Sequence, residues 1–219
     1  MENLKIEIVS DVVCPWCVIG FRNLKLAMDS LKDEFSFDVC WKPYELHPEI
    51  PQEGYDKKLY MEQKFGGSAN AKSTYNQIEE IGKNLGFEFN FSKTTRIPNT
   101  FMAHRLIWLA SSQGKQTELS ESLFKAYFTD GQNIGDKQTL VKIAKGVGMN
   151  SQETEEFLAS KAGGDEVAKE EMNFIEKSIG AVPTFFINDQ YIIQGGQEAK
   201  TFVSFLKRIA LKEREKIDA

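Results

Sequence analysis

Residues 10–20 read Ser-Asp-Val-Val-Cys-Pro-Trp-Cys-Val-Ile-Gly, and they join two different periodicities across a pair of cysteines. Leu4 to Val9 alternate apolar and polar side chains, the two-residue period of a half-buried strand. From Cys14 the period becomes helical, with Leu24, Ala27, Met28 and Leu31 at i, i+3, i+4 and i+7 and with Pro15 suited to a first helical turn. The spacing predicts a strand, a tight turn and a helix with Cys14 at its N-terminus. Cys17 then lies one turn further in on the same face, within disulfide reach.

Phe35, Phe37, Val39 and Trp41 share one face of a second strand that Pro43 ends, so the chain opens β-α-β. From about Tyr55 to Ser178, Ser68, Thr100, Asp136 and Ser151 read as helix N-caps and Gly86, Gly114, Gly131 and Gly148 as helix ends. Roughly six helices are expected there, with one short extended piece at Phe87 to Phe91. Two β-branched and aromatic runs then flank Asn188-Asp189, the pattern of a hairpin. Residues Glu198 to Lys212 form a last helix with Val203, Leu206, Ile209 and Ala210 as its apolar stripe, and the charged tail beyond is expected to fray.

The 219 residues, 41% of them apolar, suffice for a core without disulfide staples, and three cysteines are too few for a disulfide framework. A zinc site needs about four ligands, whereas Cys40, His47 and His104 are dispersed, so no metal is expected. That leaves dithiol chemistry for the close pair. The net charge of −5 and the scattered basic residues argue against a nucleic-acid partner. The opening Met-Glu-Asn-Leu-Lys lacks the apolar run of a secretory signal, and no apolar stretch approaches the roughly 18 residues of a membrane span. A cytoplasmic protein with no membrane partner is the expectation.

A thiol reacts as its thiolate, which the unpaired N–H groups and dipole of a helix N-terminus stabilise. Cys14 is therefore read as the attacking sulfur and Cys17 as the resolving one. Asp11, beside them, has two readings: a carboxyl that exchanges protons with Cys17, or a strand-end carboxylate satisfied by backbone N–H groups. His104 likewise lines a cleft or is a hydrogen-bonded core histidine. Cys40 shares strand parity with Ser36, Asp38 and Lys42 and reads as a partly exposed bystander.

The segments SDVVCPWCVIG, WKPYELHPEIPQEG, NTFMAHRL, LFKAYFTDGQNIGD and GAVPTFFINDQYIIQGGQ, in that order, resemble the FrnE-type branch of the DsbA-like oxidoreductases. They are similar, more distantly, to kappa-class glutathione transferases and 2-hydroxychromene-2-carboxylate isomerases. The resemblance implies an α/β thioredoxin-like fold, with residues 1–50 and 180–219 as the catalytic domain and 51–179 as an all-helical insertion forming a lid. It implies a thiol-disulfide oxidoreductase acting on protein or small thiol and disulfide substrates, as monomer or homodimer, with no tightly bound cofactor and glutathione as a possible co-substrate. Pro15, Trp16, Asp11 and Pro183 would support the site, and Pro183 would be a cis-proline facing the cysteines. Val182 would then present backbone to the substrate, with His104 nearby. The chain departs from DsbA in carrying Pro-Trp rather than Pro-His between the cysteines, which implies a less oxidising pair. It departs from kappa-class transferases in having Cys14 where they carry Ser, and from FrnE-type proteins with a second cysteine pair in leaving Cys40 alone. A glutathione-dependent transferase or isomerase using Cys14 only, and a non-catalytic binding module, stay open as alternatives.

Overall fold

The computed structural model describes residues 2–65 and 68–217. Six strands form among them: β1 (Glu2–Ser10), β2 (Phe35–Pro43), β3 (Tyr55–Asp56), β4 (Arg96–Ile97), β5 (Thr184–Ile187) and β6 (Tyr191–Gln194). The main sheet has the order β2-β1-β5-β6, with β1 parallel to β2 and antiparallel to β5, and β5 antiparallel to β6. The parallel β1–β2 pair requires a crossover, which α1 (Pro15–Leu31) supplies. This is a thioredoxin-like architecture, an α/β fold with many added helices.

Leu4, Ile6 and Ile8 of the central strand turn one face of β1 into the main core, where Leu24, Ala27 and Leu31 of α1 meet Phe202, Leu206 and Ile209 of the C-terminal helix. Val9, of opposite parity, packs on the other face with Phe174, Ile179 and Phe186. The β5–β6 hairpin turns through a three-residue loop between paired Ile187 and Tyr191, in which Asn188 and Asp189 both have positive φ (50° and 58°), a conformation Asn and Asp tolerate best after glycine.

Between β2 and β5 run α2 (Lys57–Phe65), α3 (Ser68–Asn84), α4 (Phe101–Ser111), α5 (Gln116–Phe124), a π-helical turn (Lys125–Thr129), α6 (Lys137–Gly146), α7 (Ser151–Ala159) and α8 (Gly164–Glu176). Seven helices and a π turn thus stand where six helices were expected. Asp136 caps α6 by accepting the Thr139 N–H at 2.8 Å, and Gly86, Gly114, Gly131 and Gly148 all have positive φ. Thr100 is the N-cap of α4 without a side-chain bond; Asn99 Oδ1 accepts the Phe101 N–H instead. The cap of α7 is Asn150, not Ser151, because the Asn150 side chain accepts N–H groups from both Gln152 and Glu153. Ser68 opens α3, and its side chain lies outside the described residues.

Phe87 to Phe91 pair with no strand. Their alternation serves ring packing, with Phe89 stacked on Phe91 at 5.5 Å and both set edge-on to Phe128. The two-residue β3–β4 ladder was too short to show a period. The last helix, α9 (Ala199–Ile217), takes in the charged segment past Lys212, where Arg214 meets Glu2 at 2.8 Å and the Tyr191 hydroxyl donates to Glu213 at 2.8 Å.

Helix α1 lies against the loop before β5 at Gly20, where an added Cβ would meet Pro183 Cγ at 2.9 Å and the Phe185 ring at 3.1 Å. Replacing Gly20 with Val would overpack that contact at a cost of about 1–3 kcal/mol. The expected result is a Tm lowered by roughly 2–4 °C per kcal/mol in a thermal melt; an unchanged Tm would show that α1 is free to shift.

Candidate active site

At the end of β1 the chain turns, and the Cys14 N–H donates to the Asp11 carbonyl at 3.1 Å. Cys14 is the N-cap of α1, in extended conformation, and its side chain makes no capping bond. Pro15 occupies the first helical turn, where its missing N–H costs nothing. One turn on, Cys17 donates its N–H to the Cys14 carbonyl at 3.1 Å. Both thiols are free; Cys14 is 4% exposed and Cys17 not at all. Trp16, between them, is 44% exposed and lies over Gly196.

Opposite the helix start, the Val182–Pro183 peptide is cis, and the Cys14 thiol donates to the Val182 carbonyl at 3.7 Å. The segment is placed by β5, whose Thr184 stands opposite Val9 of β1, and by the Gly195 N–H, which donates to the Pro183 carbonyl at 2.8 Å. Burial pushes the Cys17 thiol well above its ordinary range, and the adjacent Cys14 pushes it the same way. The Ser10 hydroxyl and the Asp11 backbone pull it back only in part. Cys17 is thus held as a thiol, sealed behind Cys14.

Asp11 is fully buried, and both of its carboxylate oxygens are engaged. Oδ2 accepts the Leu46 N–H at 2.7 Å, Oδ1 accepts that of Val13 at 3.4 Å, and His104 Nε2 of α4 stands 3.5 Å from Oδ1. The carboxylate is thus satisfied by backbone N–H groups, the second of the two readings, and it is the Asp11 backbone rather than its side chain that bears on Cys17. The approach to His104 is a charge contact rather than a hydrogen bond, since Nε2 has no hydrogen-bond partner. Burial pushes His104 down, but Asp11, Glu171 and Glu45 outweigh it and leave its pKa raised.

Glu45 and Glu171 were not singled out in the sequence. Each has a buried oxygen without a hydrogen-bond partner, Oε2 and Oε1 respectively. Glu45 is pushed up to about 7, first by burial and then by Glu171, with His104 opposing. Glu171 is raised by burial and by Asp11 against the pull of His104. No sequence period links residues 45 and 171; the one signal was the place of Glu45 two residues after the strand-ending Pro43. Cys40 is half-buried, its thiol directed at Glu7 Oε1 at 3.8 Å and pushed up to about 11 chiefly by burial, remote from the pair. Among the described residues no cluster could hold a metal ion, and no helix is long and apolar enough to cross a membrane.

Because Glu45 is harder to ionise in the folded chain than its usual 4.5, its contribution to stability is complete below that value and is lost as pH rises through about 7. Glu45→Gln should therefore gain on the wild type between acid and slightly alkaline pH, by about 1–2 kcal/mol after allowance for its solvent-facing part. Thermal melts of both proteins at each end of that range measure it. A Tm difference independent of pH would contradict the assignment.

The DSBA-like thioredoxin domain matches residues 5–207 of the chain. The uncharacterized protein YwbO of Bacillus subtilis is 31% identical over 196 residues, covering 87% of this chain and 90% of that protein. The crystal structure of the probable DsbA oxidoreductase SCO1869 from Streptomyces coelicolor superposes with a TM-score of 0.83 at 25% identity, over 94% of this chain and 89% of that one. The cytosolic disulfide reductase DsbM from Pseudomonas aeruginosa, solved with GSH, has the same fold at a TM-score of 0.64 and 15% identity, over 94% and 98% of the two chains.

Proposed function

The chain belongs to the DSBA-like thioredoxin domain family, and on that premise we propose that it is a thiol-disulfide oxidoreductase working through Cys14 and Cys17. The observation that carries the reading is the placement of two free thiols at one helix start, Cys14 at the N-cap beside Val182 and Cys17 sealed one turn behind it. Cys14 attacks a substrate disulfide, releasing one substrate thiol and forming a mixed disulfide. Cys17 then attacks the Cys14 sulfur, so that the Cys14–Cys17 bond forms as the bond to the substrate breaks. The reaction run backwards reduces the pair. Val182 presents its backbone beside the incoming sulfur, as an extended peptide or glutathione would require, and Pro183 and exposed Trp16 shape the rim.

The substrates are protein or small-molecule disulfides, with glutathione as thiol co-substrate, in the cytoplasm. The likeness to SCO1869 supports the reaction class, and the presence of two cysteines favours exchange over a transferase that needs Cys14 alone. Residues 1–50 and 180–219 form the catalytic unit and 51–179 the covering one.

Cys17→Ser should accumulate a mixed disulfide between Cys14 and glutathione or substrate, because attack proceeds while the resolving thiol is missing. Cys14→Ser should trap nothing. Iodoacetamide labelling of the reduced protein followed by peptide mapping tests the same order; labelling of Cys17 as fast as Cys14 would reverse the roles.

Trp16→His should make the pair more oxidising, since an imidazole at the helix start stabilises the reduced, thiolate form. Titration of both proteins against glutathione resolves this, because about 30 mV corresponds to 1.4 kcal/mol. A shift to a more negative potential would contradict the role given to this position.

A further inference from the structure

Asp11 and His104 are both sealed from solvent, 0% and 2% exposed, and His104 Nε2 stands 3.5 Å from Asp11 Oδ1. They meet at the turn that places the attacking sulfur. Asp11 Oδ1 accepts the Val13 N–H at 3.4 Å and the Asp11 carbonyl accepts the Cys14 N–H at 3.1 Å, so the carboxylate braces the turn that ends at Cys14. A side chain at a helix N-cap draws on the second and third helical N–H groups. Here the third, that of Cys17, is spent on the Cys14 carbonyl, which leaves that of Trp16. A thiolate at Cys14 therefore has one such donor and shares its turn with a buried carboxylate, and two like charges in a medium of low polarity disfavour each other.

We infer that His104 is a positioning residue for the exchange reaction, acting through Asp11: its imidazolium cancels the carboxylate charge at the turn into α1, stabilises a thiolate at Cys14 and makes the Cys14–Cys17 pair more oxidising. The inference rests on the function proposed above. Once the imidazole loses its proton, Nε2 has no hydrogen bond to replace the ion pair, and Asp11 stands uncompensated. In the exchange the dithiol gives two electrons and two protons to oxidised glutathione; the Cys14–Cys17 bond forms and the glutathione S–S bond breaks to two thiols. Stabilising the thiolate of the reduced protein pulls that equilibrium back toward the dithiol, which is what a more oxidising pair does.

The groups that face His104 are Asp11 from the turn after β1, Glu45 from the loop after β2 and Glu171 from α8. Lys42 of β2 and Glu170 of α8 line the narrow cleft beside it, and Tyr127 of the π-helical turn faces Asp11. Burial opposes the charge on His104, but the three acids outweigh it, so the imidazole keeps its proton to higher pH than usual. Its effect on the pair is accordingly lost as pH rises through that raised range. Glu45 ionises at about 7, in the same window, but it does so in the wild type and in a His104 variant alike.

The test equilibrates wild type and His104→Gln with mixtures of reduced and oxidised glutathione across a pH series and reads the dithiol-to-disulfide ratio by acid quench and mass spectrometry. Near neutrality, where thiolate and imidazolium coexist, the variant should favour its disulfide by about threefold to tenfold over the wild type. The gap should close in alkaline solution, where the wild-type imidazole is neutral as well. Asp11→Asn removes the negative charge itself and should not share the shift. A gap that is absent or independent of pH, or the same shift in both variants, would overturn the inference. The wild type alone supplies a second measurement, because coupling is reciprocal. By NMR, His104 should titrate at higher pH in the reduced protein than in the disulfide form, with His47, the other histidine, as reference; identical titrations would also overturn it. If the wild type forms no Cys14–Cys17 bond with glutathione, it is the proposed function that fails.

Discussion

One buried carboxylate holds the site together. Asp11 lies between β1 and the cysteine helix, and its carbonyl takes the N–H of Cys14 while its side chain takes that of Leu46 and faces His104. The strand end, the start of α1, the loop leading into the helical segment and helix α4 therefore meet at one residue. Removing a partner from a buried charge of this kind typically costs about 3–5 kcal/mol, so the four elements are mutually dependent. Where Cys14 stands relative to Val182 follows from that junction.

The opposite wall depends on the sheet. Antiparallel pairing of Val9 with Thr184 sets Pro183 beside the end of β1, and Gly20 lets α1 approach it. Two independent constraints, one electrostatic and one steric, thus fix the two sides of the Cys14 sulfur. A thiol placed by its surroundings in this way meets a substrate without first having to be ordered.

The junction of strand, cysteines and helix was legible because local period, Pro15 at the helix start and cysteine spacing all point the same way. The hairpin was legible for a similar reason: Asn188-Asp189 needs only its own backbone preference. What escaped was tertiary. Glu45 and Glu171 meet only after the helical segment folds back over β2, and no local pattern marks them. Phe87, Phe89 and Phe91 alternate like a strand because ring stacking against Phe128 imposes the same parity without a ladder. For Asp11 the backbone-satisfied reading is the one the geometry bears on, and its approach to His104 is a tertiary contact that no local pattern marks.

The central claim is that Cys14 and Cys17 act as one two-electron couple. It is tested most directly by equilibrating the protein across a series of reduced-to-oxidised glutathione ratios and identifying the sulfur species by mass spectrometry. The account predicts a single two-electron transition between the dithiol and an intramolecular Cys14–Cys17 disulfide, with Cys40 reduced throughout. Glutathione carried on Cys14 at every oxidising ratio, with no Cys14–Cys17 bond formed, would contradict it.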